Sequence, residues 1–365
     1  MPSLHNVTEN TKKILKIGGI LILIIVFVFL LVRGGIFVKD YFFPTPPPPP
    51  TVTFGKLTPV IFPQSVSTDV TFTIDTVTGK LPVFTGESNI PLDRVRVYEI
   101  FNPEFSLLDL QNAKTIVSKV GFLGREVSLG DNVYQWTTTQ SGLIRVIELN
   151  IVNKNFTYQS AFRQFERVLQ ALRMPDRQSS VARSKAFLQK MGLFPGDIDE
   201  SKTRTELLKI ENEELLTAPT LREAQVIRVN FYQENINGLP IYYEYPPYSS
   251  FNFFVATGDG YDPDIVQAEY YHQLITENSA TYPIKPVEVA YQELQEGKGY
   301  IASNYVAEDV VKIKDVEMGY YASSTEQNYL VPIYIFKGLS EEFFAYVVAV
   351  PDEWFETPEE SSEDN

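Results

Sequence analysis

Histidine is the side chain best suited to proton transfer near neutral pH, and the chain contains two, His5 and His272. His5 precedes a long apolar segment, so a Ser-His-Asp triad in the rest of the chain would have to use His272. The sequence AEYYHQLI around His272 has no G-x-S-x-G motif nearby. We therefore predict a structural or surface role for His272, and we exclude a two-histidine metal site from the region after the apolar segment.

Carboxylates are abundant but show no catalytic or metal-binding spacing. Asp259, Asp262 and Asp264 lie close together in GDGYDPD, yet the order required by a calcium loop is missing, so we predict a turn. GKGYIA, residues 297–302, lacks the third glycine of a dinucleotide fingerprint and is predicted to be a helix cap. The chain has no cysteine, which excludes thiolate metal sites and a cysteine nucleophile. We predict no catalytic residue, no cofactor and no metal.

Aromatic residues are concentrated in PIYYEYPPYSSFNFF, residues 240–254. Aromatic side chains that alternate along paired strands are usually divided between the core and the surface. An exposed aromatic groove would instead bind a peptide or a glycan. Tyr242, Tyr243, Tyr245 and Tyr248 are therefore candidates for an aromatic binding surface, and core packing is the alternative for the same residues.

Three segments follow one plan, in which an amphipathic helix precedes several strands. Helical spacing of apolar residues predicts helices near 106–120, 180–192 and 285–297. A further amphipathic helix, YQSAFRQFERVLQAL (158–172), is predicted between the first two segments. Segments rich in Val, Ile, Tyr, Phe and Thr, bounded by turn residues, predict the strands.

Strands joined to helices by short turns are typical of antiparallel α+β units rather than of a doubly wound sheet. The predicted fold class is α+β, with an N-terminal transmembrane helix, a proline stalk and tandem units of one helix packed on an antiparallel sheet. The predicted divisions are a cytoplasmic tail (1–16), the transmembrane helix (17–38), the stalk (39–53), a β-rich leader with the first α+β unit (54–157), the second unit (158–280), the third unit (281–351) and an acidic disordered tail (352–365).

The segments NGLPIYYEY and FNFFVATGDG, placed after a helix, resemble PepSY-type extracytoplasmic modules. The end of the chain, from PIKPVEVAYQELQEGKGYI to FFAYVVAV, is similar to the C-terminal unit of the membrane-anchored YycH/YycI regulators. The likeness covers about residues 180–350 and consists of patterns, while the leader and the proline stalk lie outside it. The resemblance implies tandem α+β units behind an N-terminal anchor and regulation of a sensor kinase.

Residues 17–38 form an apolar segment, interrupted by Arg33, that is long enough as a helix to span a bilayer. A cleaved signal peptide is the alternative, but no small-residue cleavage site follows the segment. Lys12, Lys13 and Lys16 precede it, which favours a cytoplasmic N-terminus. The prolines that follow predict an extended rod or a flexible linker. We expect a single-pass protein of a bacterial cell membrane with most of the chain outside.

The net charge of −15 argues against nucleic acid as a partner, because nucleic-acid binding depends on clustered Lys and Arg. The leading functional prediction is a non-enzymatic module that binds or regulates another envelope protein. The alternatives are an enzyme that acts on envelope glycans or peptides through an unpatterned pair of carboxylates, and a structural spacer or adhesin. The identity of the partner does not follow from the sequence.

Overall fold

A computed structural model of the chain contains two compact units, Met1–Pro49 and Pro50–Asn365. The structure describes residues 26–29, 33, 49–67, 70–85, 92–140, 142–170, 176–257, 263–305, 309–339 and 343–357. Most of the predicted transmembrane segment 17–38 lies outside these residues, and its described residues 26–29 and 33 are helical. In the described ranges, no helix combines the length and the apolar character needed to cross a membrane.

The second unit is α+β, as predicted. Its described helices are α1 (Asp109–Ser118), α2 (Glu166–Leu169), α3 (Arg177–Met191) and α4 (Val287–Gln295). The three helices predicted from apolar spacing are confirmed as α1, α3 and α4. Helix α3 begins where the Asp176 side chain accepts a hydrogen bond from the Ser179 amide, and it ends at Gly192, whose φ of 82° lies in the left-handed region.

Among the described residues, nine strands form one fully antiparallel sheet in the order β3-β4-β5-β6-β12-β11-β9-β7-β8. Their bounds are β3 (Val127–Gly130), β4 (Val133–Gln140), β5 (Leu143–Asn150), β6 (Phe156–Ser160), β7 (Arg204–Glu211), β8 (Glu214–Thr217), β9 (Val226–Asn230), β11 (Phe251–Thr257) and β12 (Pro263–Tyr270). Helix α3 packs on strands β9, β11 and β12 of this sheet, and its Leu188 is fully buried in the core. The face of α3 that carries Leu188 is therefore its core face.

A second sheet, of seven described strands, has the order β10-β16-β17-β18-β14, and β2 joins it by pairing with β17 and with β13. The bounds are β2 (Arg94–Ile100), β10 (Ile241–Tyr242), β13 (Ile275–Pro283), β14 (Tyr300–Asn304), β16 (Asp315–Tyr321), β17 (Tyr329–Lys337) and β18 (Phe343–Val348). Strands β1 (Thr71–Ile74) and β15 (Val310–Ile313) form a separate parallel pair. Helix α4 packs on β18, with Ala290 and Leu294 in the core.

The predicted helix over residues 158–172 is wrong over its first half. Residues up to Ser160 belong to β6, a turn of 3-10 helix covers Phe162–Gln164, and α2 is limited to four residues. Phe156 and Tyr158 are buried on one face of β6, which pairs with both β5 and β12. Pairing on both edges therefore outweighs the helical spacing of the apolar residues. Residues 171–175 lie outside the described part.

The two ends of the folded unit lie side by side. Leu57 donates its amide to the Trp354 carbonyl (2.7 Å), and the Glu356 amide donates to the Leu57 carbonyl (2.9 Å). Phe54, Trp354 and Phe355 pack against the same small core cluster. Residues 352–357 of the predicted tail are therefore attached to the fold, and the predicted disorder of residues 358–365 lies outside the described residues.

Candidate functional site

The aromatic segment 240–254 enters the seven-stranded sheet and then returns to the nine-stranded sheet. Strand β10 pairs in parallel with β16, in the register Ile241 with Tyr320, and β11 begins at Phe251. Between them the chain crosses from one sheet to the other. A cavity of about 420 Å³ lies at this crossing, within the size range of ligand pockets.

Three of the four candidate tyrosines line this cavity, namely Tyr242, Tyr243 and Tyr248. Tyr242 and Tyr248 are half-buried, whereas Tyr243 is only 3% exposed and belongs to the core. Tyr245 is 51% exposed and lies outside the lining, between lining residues Tyr243 and Pro246. The four residues thus divide between core and surface, and their role as a binding surface stays a prediction.

The cavity lining also contains three cationic side chains. Lys202 and Arg204 contribute from the turn that leads into β7, and Lys337 contributes from the end of β17. Phe344 of β18 and Tyr232 extend the aromatic wall. No carboxylate is found in the lining formed by the described residues. Cations beside aromatic rings favour a ligand that has both an anionic group and a flat or apolar part.

A short chain of contacts holds the Tyr242 wall in place. The Tyr242 hydroxyl donates to Glu317 Oε2 (2.7 Å), and Lys337 Nζ lies 2.6 Å from Glu317 Oε1. Burial would raise the pKa of Glu317, but hydrogen bonds from Lys337 and Tyr242 hold it below its usual value. Burial and the neighbouring Glu317 both raise the pKa of Tyr242, so this side chain stays a neutral donor.

The Arg228 side chain packs against the ring of Tyr248. The Arg228 guanidinium carbon lies 3.6 Å from the ring centroid, and the Tyr248 hydroxyl lies 3.4 Å from Glu206 Oε1. Burial and the nearby Glu206 raise the pKa of Tyr248 to about 12. One face of the ring is therefore occupied by Arg228, and the side chain is neutral at physiological pH.

Hydrogen bonds also connect the segment that passes between the two sheets to the other residues around the cavity. The Tyr232 hydroxyl donates to the Pro247 carbonyl (2.7 Å), and the Gln233 amide donates to the Tyr243 hydroxyl (3.2 Å). The Tyr346 hydroxyl donates to the Tyr243 carbonyl (3.0 Å). These bonds join the segment after β9 and strand β18 to the segment around β10, so the cavity has a preformed shape.

His272 lies in a different cavity, of about 370 Å³, and pairs with Asp197. Its Nε2 lies 2.8 Å from Asp197 Oδ1, and Gln233 Nε2 donates to Asp197 Oδ2 (2.8 Å). Burial would raise the pKa of Asp197, but hydrogen bonds from His272 and Gln233 lower it. Only 10% of the His272 side chain is exposed, so the predicted structural role fits its position. A carboxylate that orients an imidazole is one part of a catalytic site, but neither serine nor cysteine is present in the described lining of this cavity.

The carboxylates of GDGYDPD do not form a described metal site. Asp264 belongs to β12 and makes ion pairs with Arg145 (2.6 Å) and Arg183 (3.2 Å). Asp259 and Asp262, with the turn predicted for them, lie outside the described residues. Across the described ranges, no group of three potential ligands is placed to hold a metal ion. GKGYIA behaves as predicted, since Gly297 follows α4 with a φ of 77°.

Several residues of the cationic, aromatic cavity were not indicated by the sequence. Arg204 and Lys337 lie far from the aromatic segment along the chain and reach it only through the two sheets. Asp197 likewise lies 75 residues from His272. In the sequence each of these three residues looks like an ordinary surface charge, so no local signal distinguishes it.

No protein family matches the chain, and no curated protein matches it either. Among solved structures, the C-terminal domain of YpeB from Bacillus megaterium is similar at 12% identity. The match covers 70% of this chain and 96% of that domain, with a TM-score of 0.30.

Proposed function

We propose that this chain is a single-pass protein of the cell membrane, anchored through residues 17–38 with its N-terminus in the cytoplasm. Its outer region binds another protein of the envelope and regulates it, without catalysis. The apolar segment and the proline stalk of the sequence support the anchoring part of the proposal. The binding part rests on the cavity at the crossing between the two sheets.

That cavity is the observation that carries the proposal. Its lining combines aromatic faces with Lys202, Arg204 and Lys337, and the described lining contains no carboxylate. A glycan-cleaving site needs two carboxylates that face the substrate, one of them with a raised pKa. Glu317, which touches the cavity wall through Tyr242 and Lys337, has a lowered pKa instead. The arrangement therefore favours binding over acid–base catalysis.

Crosslinking in intact membranes tests this function. The full-length chain is expressed in its own membrane, treated with a crosslinker and purified, and the attached protein is identified by mass spectrometry. We expect an envelope or membrane protein to be joined to residues 50–357, and we expect truncation after Thr357 to leave this product unchanged. The truncation starts there because Trp354 and Phe355 pack on the fold.

A pair of variants makes the test specific to the cavity. Arg204→Gln removes one positive charge from its lining, and Lys209→Gln removes one from the same strand, where Lys209 pairs with Glu211 outside the cavity. The crosslinked product should decrease in the first variant and remain in the second. Release of fragments from peptidoglycan by the purified chain, abolished by one Asp or Glu substitution, would replace the binding proposal with the enzymatic one.

A further inference from the structure

Strand β3 forms an exposed edge of the nine-stranded sheet. In the described part of the chain it is the terminal strand of that sheet and pairs with β4 alone. All four of its residues are exposed, with Val127 at 57% and Leu129 at 50%. None of the four is charged, whereas β8 at the other end of the sheet begins with Glu214. An edge of this kind can pair with a strand of another chain, and charged residues are a common protection against such pairing.

The backbone of Ser128 faces the open side of this edge. The Ile151 amide donates to the Asn132 carbonyl (2.9 Å), which continues the pairing of β5 with β4. Because neighbouring residues of a strand direct their backbone groups to opposite edges, even-numbered residues of β4 face β5 and odd-numbered ones face β3. Gln135 therefore faces β3, where it pairs with Val127. The amide and carbonyl of Ser128, the next residue along β3, point out of the sheet.

The sequence around Ser128 is complementary to itself in an antiparallel pair. When two copies of this segment pair with Ser128 opposite Ser128, Val127 of each lies opposite Leu129 of the other. Arg125 of each lies near Asp131 of the other, and the irregularity after Ser128 changes that spacing by one residue, within the reach of an Arg side chain. Apolar pairs and opposite charges across strands stabilise such pairing. Arg125 and Asp131 are both exposed, and within the described residues neither forms an ion pair.

Other registers lack this match. Pairing centred on Glu126 places two like charges opposite each other, which is destabilising. Pairing centred on Val127, Leu129 or Gly130 places an apolar residue opposite a charged one. The register centred on Ser128 places its outward amide and carbonyl at a twofold axis, where each copy donates to the other and accepts from it. Such a contact uses the same surface on both copies, as is usual in a symmetric dimer.

We infer that two copies of this chain associate through β3, with the two strands antiparallel and centred on Ser128. The two nine-stranded sheets then continue into each other across the twofold axis. This surface is separate from the cavity, which takes Arg204 from β7, because β3 and β7 lie toward opposite ends of the sheet. A contact of this length belongs with weak, transient interfaces, so covalent capture is the appropriate test.

Cysteine capture tests the contact, because the natural chain contains no cysteine. The full-length Ser128→Cys chain, in its own membrane, is treated with a short bismaleimide and separated on a denaturing gel. We expect a product of twice the mass of the chain, at about ten times the yield given by Thr217→Cys. Thr217 is the control because it is exposed on β8, at the other end of the sheet. No such product, equal yield at the two positions, or a product that contains only a different protein would overturn the inference.

Variants connect the product to the named side chains. In the Ser128→Cys chain, Leu129→Lys places a charge within the contact and should reduce the product about tenfold. Leu216→Lys, at an exposed apolar position of β8, is the matched control and should not reduce it. Arg125→Gln removes the charge near Asp131 and should reduce the product about threefold. Circular dichroism establishes that each variant is folded. A folded Leu129→Lys variant that keeps the full yield would overturn the inference.

A disulfide test determines the register. Chains that carry Val127→Cys and Leu129→Cys, each with its own affinity tag, are expressed together and oxidised in the membrane. Residues opposite each other at a non-hydrogen-bonded position have Cα atoms about 4.5 Å apart, within the range of a disulfide. The mixed disulfide should form about tenfold faster than a disulfide between two identical chains, whose cysteines are offset along the strands. Equal rates would reject the pairing centred on Ser128.

The dimer and the proposed function fail under different results. Leu129→Lys should abolish the dimer and leave crosslinking to the envelope partner dependent on Arg204, whereas Arg204→Gln should leave the dimer intact. If no dimer is captured but the Arg204-dependent product remains, the inference is wrong and the proposed function stands. If the dimer is captured and no envelope protein is crosslinked, the dimer stands and the proposed function fails.

Discussion

Gly319 connects the packing of the seven-stranded sheet to the shape of the cavity, and Gly319→Ala should damage both. Gly319 is buried in β16, opposite Ile333 of β17 and next to β10. A methyl group at this position would lie 2.8 Å from the Pro240 carbonyl oxygen and 2.9 Å from Tyr242 Cδ2. These distances are too short for a carbon atom, so β10 has to move.

The cost can be worked out from those contacts. Overpacking in a core typically costs about 1–3 kcal/mol. Displacing the Pro240 carbonyl also weakens its 2.8 Å hydrogen bond with the Tyr320 amide, which is worth about 1 kcal/mol. Replacing glycine by alanine within a strand returns about 0.5–1 kcal/mol. We therefore expect Gly319→Ala to reduce the free energy of unfolding by about 1–3 kcal/mol.

Urea denaturation followed by circular dichroism measures this difference. Gly196→Ala is the matched control, because Gly196 is exposed and a methyl group there meets no atom within 4 Å. The control should be neutral or slightly stabilising. Crosslinking to the envelope partner should also decrease in Gly319→Ala, since Tyr242 forms a wall of the cavity. Wild-type stability and wild-type crosslinking in this variant would show that the contacts between β10 and β16 are not as described.

Three further predictions concern other parts of the chain. Leu188→Ala should lower the free energy of unfolding by about 2–5 kcal/mol in urea denaturation, because the side chain is fully buried. Gln189→Ala, at an exposed position of the same helix, should not lower this free energy. Equal effects of the two substitutions would contradict the assigned face of α3. The lowered pKa of Asp197 stabilises the fold above pH 3.8, and this contribution is lost as the pH falls below it. Asp197→Asn should therefore be less stable than the wild type at pH 7, with a difference that shrinks in acid; a constant difference would reject the pairing with His272. Protease treatment of intact cells should remove the region beyond residue 50, and a protected full-length band would reverse the proposed orientation.

Much of the fold was predictable from local sequence patterns. Helix α3 was predictable because apolar residues recur at helical spacing and Gly192 supplies the left-handed position that ends it. The α+β class followed from the alternation of such helices with β-branched and aromatic segments. Strand partners were not predictable, because residues of β6 pair with β12 more than 100 positions later in the chain. Pairing across that distance depends on the packing of both sheets and not on any local signal.

The candidate site was predictable only in its aromatic half. The density of tyrosines in the segment 240–254 indicated Tyr242 and Tyr248, but it gave no means of separating them from the buried Tyr243. The cationic half comes from the ends of β7 and β17, which the sheet topology brings together. Arg204 and Lys337 have no sequence feature that distinguishes them from surface charges, since their role depends on what lies opposite them.

Site-specific photocrosslinking from the edge of the cavity tests the central claim most directly. A photoreactive amino acid at Tyr245, which is exposed between two lining segments, is compared in intact cells with one at Leu107, which is 91% exposed and does not line the cavity. The proposed function predicts a crosslink to one envelope protein from position 245 that is absent from position 107 and is reduced by Arg204→Gln. No crosslink from position 245, or the same products from both positions whether or not Arg204 is changed, would contradict it.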